Sequence, residues 1–305
     1  MRSKRWKRAA ALGLAFCLTA APVLGTGGTV LAEEEDKDAK SGAVEIDVTD
    51  FGADPSGQTD STEAVRQALA EAKKAEGEAV VNFPEGEYHF WKDYASDRVY
   101  HTSNSGSLSY PEKHIAILLE DMDNVTLEGN GSSLIMHGDM MAIAAVESSN
   151  VTFRDFTVDY KDPDTIDISV VGEGTDGSGN PYTDFYVPAN YTYEIQPDGR
   201  NILWKGETSP VTGEPYWQVW NADFCAMIVV YKGYDQTVAR ASDKWGTNPF
   251  NNVSYIEQVG ENVLRFTYSG WKPSAQEVGN VFLLSDSQTR KTTGAFFWES
   301  EDLLV

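Results

Sequence analysis

Apolar residues between positions 44 and 90 follow two different periods. The alternation over residues 44–48 predicts a short strand, and residues 79–83 predict another that ends at a Pro-Glu-Gly turn. Between them Asp60, with Glu63 three residues later, predicts the N-cap of a helix. Apolar residues then recur at helical spacing, at Ala64, Val65, Ala68, Leu69 and Ala72. This order predicts an amphipathic helix that caps the end of a larger β structure.

A second pattern repeats along the chain at an offset of 26 residues. The short apolar runs of residues 117–127 recur at residues 144–153, with Asn124 and Asn150 at equivalent turns. A period in the twenties is typical of a parallel β-helix, in which each coil stacks on the one before it. Asn suits the corners because it tolerates left-handed backbone. The sequence therefore predicts an all-β, right-handed parallel β-helix over residues 44–160, with an N-terminal capping helix.

The pattern returns at the end of the sequence. Residues 297–305 align without a gap on residues 145–153, and about 126 residues more than one coil separate the two copies. We therefore expect residues 292–305 to be a resumed and truncated β-helix. We expect residues 161–291 to be an inserted domain.

The composition of that insertion differs from the composition of the coils. It contains five of the eight tryptophans, and apolar runs flank a Pro197-Asp198-Gly199 turn. Such a turn between two apolar runs predicts a β-hairpin. Residues 262–268 and 280–284 predict further strands. The insertion is therefore predicted to be an antiparallel, barrel-like β domain.

The N-terminus has the layout of a secretory leader. Five basic residues precede an apolar run, and small residues end at Ala32, so we predict a signal peptide at residues 1–32. The alternative, an uncleaved membrane anchor, is weaker because the apolar run is short and contains Pro22. Residues 33–43 form an acidic linker, and the mature protein is expected to be secreted.

Charge and cysteine content narrow the possible partners. The chain carries a net charge of −23, and the leader contains five of the 24 basic residues. Such acidity disfavours nucleic acid and acidic membrane surfaces as partners. Beyond the leader only Cys225 remains, so no disulfide framework supports the fold.

Candidate chemistry is sparse within the predicted coils. His101, Asn104, His137 and Asp159 are candidate substrate-binding residues, although a purely structural role is the simpler interpretation of them. Asp159 begins a run of carboxylates that continues with Asp162 and Asp164; paired carboxylates would suit glycoside hydrolysis, and turn residues at a strand exit are the alternative. No metal-binding or phosphate-binding motif occurs, and neither a metal nor another cofactor is expected.

Two sets of motifs resemble known families. DVTDFGADPSGQTDSTEAVRQAL with VVNFPEGEYHF resembles the N-terminal entry of the pectate-lyase-like β-helix superfamily. YHFW, RVYHTSN, LEGNGSSLIMHG, SSNVTFRDFTVDY and the segment VGNVFLLSDSQTRKTTGAFFWESEDLLV resemble glycoside hydrolase family 110, whose members are secreted exo-α-1,3-galactosidases.

The narrower resemblance implies a specific reaction. It implies metal-independent, anomer-inverting removal of terminal α-1,3-linked galactose, with one aspartic acid as general acid and a second carboxylate that activates water. It also implies that those catalytic residues follow Val305, so the chain alone is expected to have little activity. Two alternatives stay open, a polygalacturonase or pectate lyase and a non-enzymatic glycan-binding or adhesin module.

Overall fold

The computed structural model describes residues 42–102, 110–222, 224–232, 235–239, 247–285 and 294–305. The predicted leader 1–32, its cleavage site Ala32 and nearly all of the linker 33–43 lie outside the described residues. Asn104 and the predicted C-terminal boundary of the insertion at residue 291 also lie outside them.

The described chain is built from strands and one α-helix. The first part contains β1 Val44–Asp47, β2 Ser56–Asp60, helix α1 Thr62–Ala72, β3 Ala79–Asn82, β4 Glu87–Trp91, β5 Ser96–Val99, β6 Glu112–Glu120, β7 Asp123–His137, β8 Met141–Val146 and β9 Ser149–Tyr160. The middle contains β10 Ile166–Thr175, β11 Pro181–Tyr186, β12 Thr192–Ile195, β13 Ile202–Lys205, β14 Gln218–Trp220, β15 Phe224–Lys232, β16 Asp235–Ala239, β17 Val253–Gly260, β18 Val263–Tyr268 and β19 Val281–Ser285. The last two strands are β20 Ala295–Trp298 and β21 Glu301–Leu304. Two short 3-10 helices cover Val48–Phe51 and Lys92–Tyr94.

The strands of the first and last parts stack in parallel, as the repeat predicts, except β5, which pairs antiparallel with β6. One face is formed by β6, β8 and β20, and a second by β3, β7, β9 and β21. Phe297 pairs with Ala145 and Leu303 pairs with Val151, which is the predicted register. The predicted fold class, an all-β protein with a parallel β-helix, is confirmed.

Left-handed corners hold successive coils in this register. Asn124, Asn150 and Asp302 occupy equivalent corners with φ of 58°, 49° and 52°. The Asn150 side-chain amide donates to Asn124 Oδ1 at 2.9 Å, which links one corner to the next. The expectation that Asn residues mark these turns is confirmed.

Helix α1 packs its small-residue face on the coil interior. The five residues of the predicted apolar stripe are all buried in one core with the coil residues. The predicted cap is wrong in detail, because Ser61 and not Asp60 is the N-cap residue. The Asp60 carboxylate accepts from the Thr62 and Trp91 backbone amides, and Glu63 bonds Arg66 and Gln67 instead of reaching back.

The middle strands are antiparallel. Seven of them form a sheet in the order β16-β15-β19-β10-β11-β18-β17, and β12, β13 and β14 form a second sheet. The predicted hairpin pairs Ile195 with Ile202, and both sheets contribute to one core that contains Trp204 and Phe282. The boundaries predicted at residues 160 and 291 stay predictions. Within the described residues, no helix combines the length and apolar character needed to cross a bilayer.

Candidate functional site

The coil and the antiparallel region meet where two stacked strands end. Met136 of β7 pairs with Tyr160 of β9, so the segments that follow them leave the coil side by side. Those segments are residues 138–140 and 162–164, and the loop of residues 206–217 between β13 and β14 packs against both. Three separate parts of the sequence therefore meet at this junction.

Hydrogen bonds fix the 206–217 loop to the coil. Ser209 Oγ donates to Asp93 Oδ1 at 2.8 Å, and the Tyr216 hydroxyl donates to the other oxygen of the same carboxylate. Trp217 Nε1 donates to the Asp162 carbonyl at 3.1 Å. The indole is therefore held in one orientation at the junction.

Gly138 is required at this contact. Its φ of +91° is a left-handed geometry that favours glycine. A Cβ at this position would lie 2.9 Å from Tyr216 Cγ and 3.1 Å from Lys92 Cβ. The glycine that follows His137 therefore permits close approach of the loop.

A cavity of about 200 Å³ lies at this junction. It combines aromatic surface with carboxylates, and its lining includes Asp139, Tyr160, Asp162, Asp164, Trp217 and Gly294. The Tyr160 hydroxyl donates to the Met140 carbonyl at 2.8 Å, which orders the wall between the two strand exits. The cavity draws residues from the coil, the loop and the start of the returning segment.

Asp162 has an unusual environment in this cavity. Its Oδ1 atom is buried and has no hydrogen-bond partner among the described residues. Burial raises the pKa of Asp162 to about 6; a hydrogen bond from the Glu207 backbone opposes this change, and the Glu207 charge adds to it. Its carboxyl group therefore takes up a proton at a higher pH than an ordinary aspartate does.

The other ionisable groups of the lining are held differently. Lys92 forms an ion pair with Asp139, so part of the negative charge is compensated inside the protein. Burial, with the neighbouring Asp164 charge, raises the pKa of Tyr160 to about 12. Tyr160 therefore stays neutral at physiological pH and serves as a hydrogen-bond donor.

A chain of hydrogen bonds runs behind the cavity. Glu87 Oε1 lies 2.7 Å from His89 Nε2, and His89 Nδ1 lies 2.7 Å from His137 Nε2. His137 Nδ1 in turn lies 2.7 Å from Glu207 Oε1. Trp91 stacks on the His137 ring with centroids 4.0 Å apart. This series of hydrogen bonds thus connects strands β4 and β7 to the 206–217 loop, whose backbone approaches Asp162.

The series of hydrogen bonds from Glu87 to Glu207 needs more protons than two neutral histidines supply. Three successive hydrogen bonds need three protons, whereas two neutral imidazoles carry only two. The chain between the Glu87 and Glu207 carboxylates is therefore complete only when it holds one additional proton. Removal of any member would leave buried polar atoms unpaired.

The structure places two of the predicted substrate-binding residues away from the cavity surface. His137 is only 3% exposed, and both of its ring nitrogens are bonded within the protein. Asp159 is exposed on β9 and accepts from the Tyr160 amide at 2.8 Å. Adjacent strand residues face opposite sides, so Asp159 points away from the cavity that Tyr160 lines. A direct contact of either residue with a sugar stays a prediction.

Of the other two predicted residues, His101 is exposed in the segment after β5 and is not part of the cavity lining. Asn104 lies outside the described residues. Asp162 and Asp164, which the sequence offered either as turn residues or as paired carboxylates, do line the cavity.

Sequence reasoning missed Asp139, Glu207 and Trp217. A signal for Asp139 was available, because the parallel pairing of Met136 with Tyr160 at the ends of β7 and β9 places the segment after β7 beside the segment after β9. Trp217 gave no such signal, since its place depends on where the loop of the antiparallel region packs.

A second cleft lies along the coil corners. It measures about 490 Å³ and is lined by acidic and serine residues that include Asp123, Glu147 and Glu301. Across the described residues, no group of three or more His, Cys, Asp or Glu side chains is arranged to hold a metal ion. The junction cavity, which alone of the two combines carboxylates with an aromatic wall, is the better candidate for a ligand site.

Comparison with known proteins supports both resemblances that the motifs suggested. Residues 45–100 match the family model described as rhamnogalacturonase A/epimerase, pectate lyase-like. The chain is 36% identical over 270 residues to the α-1,3-galactosidase A of Peterkaempfera griseoplana, and 36% identical over 265 residues to that of Streptomyces avermitilis. The chain is homologous to the α-1,3-galactosidases. The resemblance to glycoside hydrolase family 110 is thereby confirmed.

The matches cover most of this chain but only a minor part of each relative. They cover 87% and 86% of this chain but only 35% and 40% of the two relatives. The α-1,3-galactosidase B of Bacteroides thetaiotaomicron is 28% identical over 67% of the chain and 31% of its own length. The chain thus spans about two fifths or less of these galactosidases.

Proposed function

We propose that the chain forms part of a secreted glycoside hydrolase that removes terminal α-1,3-linked galactose from glycans. The observation that carries the proposal is the 36% identity over 87% of the chain to a protein named an α-1,3-galactosidase. The leader-like residues 1–32 support secretion, and the net charge of −23 disfavours nucleic acid as a partner. The proposed partner is a galactose-terminated glycan.

The proposed mechanism is inversion by two carboxylates. A carboxylic acid protonates the leaving oxygen while a second carboxylate activates water on the opposite face of the ring. We assign the described residues the task of holding the sugar. Trp217 offers a flat apolar wall, and Asp162 and Asp164 offer hydrogen bonds to hydroxyl groups. Proton transfer to the leaving group is not assigned to a described carboxylate.

The sequence also left a pectin-degrading reaction open. The pectate lyase-like match supports the coil architecture, but it covers only residues 45–100 and stops before the junction cavity. A polyuronate substrate is anionic, and it would meet the carboxylates of the cavity and of an acidic protein. The galactosidase reaction is therefore the better supported of the two.

A chimera tests this function. Residues 33–305 would replace the aligned part of the Streptomyces avermitilis relative, and galactose release from α-1,3-galactobiose would be measured with the α-1,4-linked and α-1,6-linked isomers as controls. We expect release from the α-1,3-linked substrate, with the first product in the inverted anomeric form by NMR. The relative lacking the aligned part is the negative control, and residues 33–305 alone are expected to release little galactose. A folded chimera that releases no galactose, beside an active parent, would contradict the proposal.

A further inference from the structure

We propose that the junction cavity, defined by Asp139, Tyr160, Asp162, Asp164, Trp217 and Gly294, binds one neutral galactopyranose ring. In this site the Asp162 carboxyl group bonds a sugar hydroxyl and Trp217 packs along the ring. This inference deepens the proposed function and rests on it for the identity of the sugar. The existence and position of the site rest on the geometry of the described residues.

The size and walls of the cavity fit a single ring. Pockets for drug-sized ligands occupy about 300–1,000 Å³, whereas this cavity measures about 200 Å³. One wall is apolar, because Met140 and Trp217 contribute to it. A pyranose ring has a C–H face that packs on an aromatic surface and a rim of hydroxyl groups that needs polar partners. The cavity supplies both kinds of surface within one small volume.

The orientation of Trp217 is set before any ligand binds. Its Nε1 donates to the Asp162 carbonyl at 3.1 Å, so the indole and the main chain that carries the Asp162 carboxyl group are joined directly. Gly206 lies against the same indole, where a Cβ would be only 2.4 Å from Nε1. A wall fixed in this way loses little side-chain freedom on binding, which favours affinity.

The Asp162 carboxyl group supplies the observation that points to a ligand. Buried polar atoms in folded proteins almost always have a hydrogen-bond partner. The buried Oδ1 atom of Asp162 has none among the described residues. Asp162 lines the cavity, and a sugar hydroxyl would bond its carboxyl group in either protonation state, because a carboxylate accepts a hydrogen bond and a carboxylic acid can donate one. The Asp162 carboxyl group therefore offers a hydrogen-bond partner to a polar ligand in the cavity.

The charge of the cavity selects among polar ligands. Three carboxylates, those of Asp139, Asp162 and Asp164, line it, and Lys92 forms an ion pair with Asp139. Carboxylates that accept from neutral hydroxyl groups would repel a uronate, a sulfate or a phosphate. The geometry thus favours a neutral sugar over an anionic one. A bound cation is the competing occupant, and the binding experiment includes it.

The test measures binding to the full chain at pH 7 by isothermal titration calorimetry. The probes are methyl α-D-galactopyranoside, methyl α-D-mannopyranoside and calcium chloride. Trp217→Ala and Asp162→Ala should each weaken galactoside binding about tenfold or more, the loss of one aromatic wall or one charge-assisted hydrogen bond. Trp220→Ala is the matched control, because this tryptophan is 56% exposed on the adjacent strand β14 and does not line the cavity. Its affinity should equal that of the unchanged chain.

A further variant guards against misfolding. Asp162→Asn keeps the shape of the side chain and replaces a charged acceptor by a neutral one, so it should weaken binding several-fold. Galactoside binding that is absent in the unchanged chain, that is equal in all variants, or that is replaced by calcium binding would overturn the inference. None of those results would prevent galactose release by the chimera, so the proposed reaction is tested separately. If the chimera is inactive while the chain still binds the galactoside, only the proposed reaction is rejected.

Discussion

The coil and the antiparallel region satisfy their backbone hydrogen bonds in two different ways. In the coil, the parallel strands pair with strands one turn away. Between β7 and β9 the offset is 26 residues from Asp123 with Ser149 to Glu128 with Arg154, and 24 residues from Ser132 with Phe156 to Met136 with Tyr160. In the antiparallel region, β10 pairs with both its neighbour β11 and the distant β19, and bulges shift the register, as between Val170 and Gly172. An offset that is kept over several consecutive pairs and returns in the next coil leaves a trace in the sequence, whereas antiparallel pairing, in which the separation changes at every pair, does not.

The two regions also differ in how they turn. Coil corners repeat one geometry, with left-handed residues stacked at equivalent positions, and a side-chain bond joins Asn150 to Asn124. In the antiparallel region, Asn252 is left-handed with φ of 63°, but its amide bonds the Ser269 and Trp271 carbonyls of another segment. We therefore expect truncation of a core side chain to lower the free energy of unfolding by the same amount in both regions. Substitutions at the corners and at the junction should affect the two regions differently.

The largest effect is expected from the two cores. Leu127 and Leu264 are fully buried, one in each region. Leu127→Ala and Leu264→Ala should each lower the free energy of unfolding by about 2–5 kcal/mol, through lost transfer energy and a residual cavity. Chemical denaturation followed by far-UV circular dichroism measures this, with Val211→Ala, at a side chain 60% exposed, as the control. A cost confined to one of the two leucines would show that the other region contributes little to the measured transition.

The junction should be the next most sensitive place. His137→Ala removes the middle of the hydrogen-bonded chain and leaves His89 and Glu207 without this partner, so we expect a loss of about 2 kcal/mol. The control is His114→Ala, since His114 pairs with an exposed Asp97 and should cost less than about 1 kcal/mol. Equal losses from the two variants would argue against a structural role for the buried chain.

Corner substitutions should have a smaller and more specific effect. Asn150→Ala places a β-carbon in left-handed backbone and removes the bond to Asn124, at a cost of about 1–2 kcal/mol. Asn150→Gly relieves the backbone term and should cost less than the alanine variant. Asn252→Ala provides the comparison in the antiparallel region. If glycine proves worse than alanine at position 150, the left-handed conformation is not what selects asparagine there.

The smallest effect concerns pH. Because the pKa of Asp162 is raised to about 6, well above that of an ordinary aspartate, the folded state binds this proton more tightly than the unfolded state does. Its contribution is fully present below about pH 4 and is lost as the pH rises through about 6. After allowance for partial exposure, this amounts to about 1 kcal/mol. Asp162→Asn should flatten that part of the stability profile, measured by thermal melting between pH 4 and 7. An unchanged slope would mean that Asp162 titrates normally.

Much of the coil could be predicted from the sequence because its contacts repeat. The register of Phe297 on Ala145 and the left-handed corner at Asn150 both follow from one period. The helix cap could not be resolved, because Ser61 and Asp60 are both good capping residues and the tertiary bond from the Trp91 amide engages the Asp60 carboxylate.

The candidate site was predicted only in part. The carboxylates after β9 were visible as a run, but the partner of His137 is Glu207, 70 residues later, and no local pattern connects them. Trp217 reaches the junction because a loop of the antiparallel region packs on the coil. A site formed by two regions depends on how one region packs on the other. The sequence periodicity of each region carries no information about that packing.

Hydrogen–deuterium exchange with mass spectrometry tests most directly whether the meeting of the two regions creates a sugar site. The full chain would be compared with and without saturating methyl α-D-galactopyranoside. We expect slower exchange in peptides that cover residues 138–142, 160–164 and 206–217, with no change at the coil corners near residues 121–124 and 299–302. Protection at those corners, or no protection at the junction when the sugar is bound, would contradict this expectation.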